Sequence, residues 1–123
     1  MDFHRFRVFT LAQANSTIEV VEDLTRSTQD RLRQLQAAYG GEDPVEELER
    51  EIRLVVDEWA RLVLELGAQP KGIFTVDFRS PDPNVLWCWA PGEAEISHRH
   101  FTWESFENRI QLSDGLIDWP SRN

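Results

Sequence analysis

Residues 85–100 read "VLWCWAPGEAEISHRH". Two tryptophans flank the only cysteine of the chain, a Pro-Gly pair interrupts, and two histidines follow with one residue between them. "APGE" carries proline at the second position of a turn and glycine at the third. The stretch therefore reads as two strands, "VLWCWA" and "AEISHRH", joined at Pro91-Gly92. Such a turn sets Trp89 opposite Ala94 and Trp87 opposite Ile96. Upstream, "IFTVDF" alternates, with Phe74, Val76 and Phe78 on one face and Ile73, Thr75 and Asp77 on the other. The intervening "RSPDPN" is rich in turn formers; it pairs Phe78 with Val85, Val76 with Trp87 and Phe74 with Trp89. Both registers put Phe74, Val76, Phe78, Val85, Trp87, Trp89 and Ile96 on one apolar face. Cys88 then points the other way, beside Leu86, Asp77 and Glu95.

The apolar face needs a cover, and the preceding residues supply one. "TLAQ" is a capping box in which Thr10 accepts from the backbone of Gln13 while Gln13 reaches back, so a helix starts at Leu11. Leu11, Ala14, Ile18, Val21, Thr25, Thr28, Leu32, Leu35 and Tyr39 follow in threes and fours to Gly40-Gly41, where a left-handed cap is cheap. The seam is weak at Thr25 and Thr28. "EDPVEE" starts a second helix with Asp43 as N-cap, Pro44 in the first turn and Glu46 completing the box. Its seam is Val45, Leu48, Ile52, Val55, Trp59, Leu62 and Leu66, and Gly67 stops it. Leu54, Val56, Val63 and Leu64 widen this stripe, so the second helix buries more than one face. The fold expected is α+β. A long antiparallel helical hairpin (10–66) packs on a three- to four-stranded antiparallel meander (73–100), with the arm "FHRFRVF" (3–9) as the candidate fourth strand. Residues 101–123 are too apolar to hang free, given Phe101, Trp103, Phe106, Ile110, Leu112, Leu116, Ile117 and Trp119.

At 123 residues the chain makes one domain. A domain this small buries only about two-thirds of its unfolded surface, so a partner subunit helps it. Its net charge of −9, from 13 basic and 22 acidic residues, argues against wrapping nucleic acid. A single cysteine excludes an internal disulfide and a multi-thiolate zinc site within one chain. No stretch suits a signal peptide or a membrane span, so the expectation is a cytoplasmic protein with no membrane partner. No phosphate loop and no serine elbow is present.

"FTLAQAN" opening a long helix, "VDF", "CWAPGE" followed by Ile96, His100, and Phe106 three residues before Arg109 together resemble the bacterial domain of unknown function family 2203. The matching positions also include Gly67 and Lys71, and they span about 9–112. The interval from Lys71 to Asp77 is shorter than in that pattern, and Arg99 stands where the pattern has an aromatic residue. The resemblance implies a fold and positions to watch, but no activity.

Four residues are candidate ligand-binding groups: Glu93, His100, Arg109 and Asp77. Arg109 offers a fork for a carboxylate or phosphate, with Glu93 and His100 beside it. His98 and His100 leave one face of a strand and form a candidate metal chelate. Glu93 or Asp77 would complete it, although this register sets Asp77 on the opposite face. The same histidines also fit a strand end that closes the core and bonds to backbone. Cys88 has no basic neighbour in sequence to lower its pKa, so no catalytic residue is assigned. The leading expectation is a non-catalytic homodimeric interaction or scaffold protein without a cofactor. The alternative is a small-ligand or metal-binding protein, or an enzyme, built on the meander's His/Glu/Arg cluster.

Overall fold

The structure, a computed structural model, describes residues 6–42 and 44–112. Among them the helices are α1 (Leu11–Ala38) and α2 (Val45–Glu65). The strands are β1 (Gln69–Lys71), β2 (Thr75–Arg79), β3 (Val85–Trp89), β4 (His98–Phe101) and β5 (Ile110–Gln111), with a 3₁₀ turn at Phe106–Asn108. The strands form one antiparallel sheet in sequence order, and the two helices pack on one of its faces. This is the expected α+β hairpin-on-meander, with five strands.

The capping box is present: Gln13 N donates to Thr10 Oγ1 (3.1 Å) and Thr10 N to Gln13 Oε1 (2.9 Å). The far end differs from expectation, because the C-cap is an extended Tyr39 (φ −97°) and the positive-φ glycines among the described residues are Gly67, Gly72 and Gly92, not the Gly40-Gly41 pair. The expected N-cap Asp43 lies outside the described residues, as do Leu116, Ile117 and Trp119. α2 begins after Pro44, with Glu46 and Glu47 in its first turn, where the helix dipole favours negative charge. The weak layer of the α1 seam has a specific use. Thr25 and Thr28 are buried, and Thr25 Oγ1 accepts the indole N–H of Trp59 at 2.9 Å. A tryptophan that large needs a partner for its one donor once it is inside, and an aliphatic residue would leave that donor orphaned.

The additional strands come from segments too short to show a period. β1 contains Pro70, which is tolerated because β1 is an edge. It turns into β2 through Gly72 (φ 58°), Ile73 and Phe74 (φ 70°), so β2 starts at Thr75 and Ile73 is exposed. Phe74 holds a left-handed conformation that a bulky side chain rarely adopts. Its ring packs edge-on against Trp59 at 5.2 Å. The described part of the N-terminal arm, residues 6–9, forms no named strand; it makes a parallel bridge, Val8 to Arg79, and inserts Phe9 into the core, while residues 3–5 lie outside the described residues. Gly67 stops α2 at φ 92°, and Arg7 lies so close that a Cβ there would fall 2.6 Å from its Cδ.

Two registers differ from the sequence reading, with opposite consequences. Between β2 and β3, Phe78 pairs with Trp87 and Val76 with Trp89. That is a two-residue slip, which keeps every side chain on its expected face. Trp87 and Trp89 accordingly sit in the core, and their indoles donate to Phe9 O (2.9 Å) and Glu93 O (2.8 Å). Between β3 and β4 the partners are Val85–Phe101, Leu86–His100, Trp87–Arg99 and Cys88–His98. This slip is odd, and an odd slip turns side chains to the other face. Its cause is the connection. Pro91-Gly92 does turn, with Gly92 at φ 95°, but residues 94–97 leave the sheet and Ile96 N donates to Asn15 Oδ1 on α1. Ile96 still reaches the core, while His98 and His100 turn to the face away from the helices.

Candidate functional site

That second face carries the polar groups. Asp77 and Cys88 are direct cross-strand partners on β2 and β3, and His100 stands opposite Leu86 on β4, one pleat along from Cys88. Asp77 and Cys88 are fully buried and His100 is 3% exposed. The cover is partly the segment after β4. Phe106 sets its ring edge-on to His100 with centroids 6.1 Å apart, and the Arg109 guanidinium lies over Phe106 at 4.8 Å.

The ligand-capable atoms of Asp77, Cys88 and His100 all lie within 4.8 Å of one another. His100 Nε2 is 3.1 Å from Asp77 Oδ2, and His100 Nδ1 is 2.8 Å from Phe101 O. A carbonyl can only accept, so Nδ1 carries hydrogen and donates to Phe101. Nε2 therefore faces the carboxylate as a second N–H of an imidazolium, or as a bare lone pair needing a cation between the two. Asp77 Oδ1 is buried with no N–H or O–H donor to it; the donor beside Asp77 is the Cys88 thiol.

The titration of these groups follows from their surroundings. Burial works against charge on His100 and is the largest single influence. The hydrogen bond and charge of Asp77, the Phe101 carbonyl and Glu104 outweigh it, so His100 stays above its ordinary 6.5. Burial, then the Asp77 charge, drives the Cys88 thiol far up, so in the metal-free protein it is a protonated thiol and a poor nucleophile.

The remaining candidates form a neighbouring group. Glu93 anchors its own turn, with Oε1 accepting from Ala90 N at 2.9 Å. Its Oε2 lies 2.9 Å from Arg109 Nη1 and 3.6 Å from His98 Nδ1. His98 is pushed below 6.5 by burial and then by Arg109, against the pull of Glu93. The structure thus divides the four ligand-binding candidates into two contacts, Asp77–His100 and Glu93–Arg109. His98 and His100 share a face, yet they point to different carboxylates and do not converge on one point. Asp77 is on the face of His100, contrary to the register expected from sequence, because of the odd slip in β4. Cys88 was absent from the candidate ligands. Its signal was available in the β2–β3 alternation, which already put it beside Asp77.

The model of one family, "Uncharacterized conserved protein (DUF2203)", matches residues 7–112. The chain belongs to that family, and the match covers every residue of both contacts. No curated protein and no solved structure matches the chain. No helix among the described residues is long and apolar enough to cross a membrane.

Proposed function

We propose that this member of the family is a metal-binding protein whose centre is Asp77, Cys88 and His100, taking a divalent cation of the zinc class. The observation that carries the reading is the buried carboxylate: no N–H or O–H donor reaches Asp77 Oδ1, its neighbour there is the Cys88 thiol, and Oδ2 meets an imidazole whose other nitrogen is committed to Phe101. Fixing Nδ1 as the donor leaves Nε2 as the coordinating nitrogen, a common outer-sphere arrangement for metal-bound histidine. One carboxylate, one thiolate and one neutral imidazole suit a borderline-soft ion. Their charges cancel a dication's, which a fully buried site requires. Ligand atoms around tetrahedral zinc stand about 3.5 Å apart. A bound ion would therefore close the widest separation, within 4.8 Å, by about 1 Å, while His100 Nε2 and Asp77 Oδ2, 3.1 Å apart, would open slightly. Three protein ligands leave one position for water or a small ligand. A lone reduced thiol as ligand also fits the cytoplasm.

The test is metal content. Untagged protein dialysed against dilute chelator retains about one ion per chain. Cys88→Ser and His100→Gln lose it, whereas His98→Gln keeps it, because His98 belongs to the Glu93 contact. A chain that emerges metal-free, or one that loses its ion through His98→Gln alone, contradicts the proposal.

A further inference from the structure

The helical hairpin extends well past the sheet's cover. Between residues 29 and 58 no described residue is fully buried, although Leu32, Leu35, Leu48, Ile52 and Val55 repeat at core spacing. Two hollows open between the helices, both lined by helix residues alone. One, of about 350 Å³, is formed by Val20, Leu24, Leu62, Glu65 and Leu66. The other, of about 320 Å³, is formed by Arg31, Gln34, Leu35, Glu51 and Val55. Residues 20, 24, 31 and 35 of α1 have the same spacing as 51, 55 and 62 of α2 with its C-cap residue 66. At 3.6 residues per turn each set is a single stripe, so the two hollows are ends of one groove. Its middle is closed by the Arg31–Glu58 ion pair at 2.7 Å. Val20 and Leu54, on the same side, are 52% and 58% exposed.

We propose that a second copy of this chain covers this groove, making an antiparallel four-helix bundle with the two sheets outermost. Charge selects the occupant. In the distal half of α1, Arg26, Arg31 and Arg33 against Asp30 leave +2. Along α2 from 44 to 58, six carboxylates against Arg50 and Arg53 leave −4. A two-fold axis running along the hairpin lays α1 of each copy on α2 of its partner. It then matches positive to negative and apolar end to apolar end. Such an isologous contact closes on itself, and the bundle covers Leu54, Val55 and Leu62 of α2, which the hairpin leaves exposed or half-buried.

Light scattering on the full chain, at micromolar concentrations and with chelator present, then gives about twice 14.4 kDa. The double variant Val20→Glu, Leu54→Glu gives the monomer mass. Both sites are more than half exposed, so its circular dichroism and melting as a monomer remain those of a folded protein. A wild-type monomer, or a double variant that remains dimeric, overturns the proposal. Chelator makes the outcome independent of metal, so it stands or falls apart from the Asp77–Cys88–His100 centre.

Discussion

His100 donates one N–H to Phe101 and, when protonated, a second to Asp77, and that second bond sets how the pair titrates. Its folded pKa lies above 6.5 because the Asp77 bond and charge outweigh burial. The stability this pair contributes is therefore complete below pH 6.5 and is lost as the pH rises through the raised value. Denaturant titrations of chelator-treated protein should show that loss, and His100→Gln should remove it. Asp77→Asn gives the sharper result at this scale. Without the carboxylate only burial and the weaker partners remain, so the His100 resonance should titrate at a lower pH than in the wild type. An unchanged midpoint would mean that Asp77 does not hold the imidazolium. Metal binding has the opposite sign, since raising the pH removes the competing protons and strengthens coordination.

The elements impose their own constraints, and here burial decides the magnitudes. Trp87 is 3% exposed and bonded to Phe9 O, so Trp87→Ala should cost about 3–5 kcal/mol. A loss below about 1 kcal/mol would show that the β3 side facing the helices is not core. Thr25→Val is nearly isosteric but strands the Trp59 indole N–H, and it should cost about 1–3 kcal/mol. Equal stability with valine would show that this bond contributes nothing. These elements were legible because long periods average over local exceptions. The capping box of α1, its seam from Ala14 to Thr28, Trp59 of the second seam and the faces of β2 and β3 read correctly from spacing, whereas Val45, the first residue of the second seam, is 63% exposed. β1 and β5, three and two residues long, have no period to read. The odd slip into β4 was hidden for a different reason. Pro91-Gly92 is a sound turn signal, yet the strand resumes only at His98, since Ile96 is drawn to Asn15 of α1 by a contact 81 residues distant in sequence. That one tertiary bond decides which carboxylate His100 meets. The candidate site was therefore visible as a set of residues but not as a geometry.

For the whole molecule, the excess of acidic groups offers cations a second mode of association. A net charge of −9 gathers cations at the surface without a site. Surface carboxylates are already ionised near neutral pH and release no protons when they bind an ion. The proposed centre differs, because Cys88 would enter as a thiol and, below its raised pKa, His100 as an imidazolium, and both would lose a proton to coordinate. Counting protons therefore separates the two cases. The decisive measurement is a calorimetric titration of chelator-treated, untagged protein with zinc, repeated in buffers of different ionisation enthalpy. It should give one saturable site per chain with about two protons released below the folded pKa of His100, falling toward about one above it. Uptake without proton release, or no saturable site, would contradict a metal centre at Asp77, Cys88 and His100.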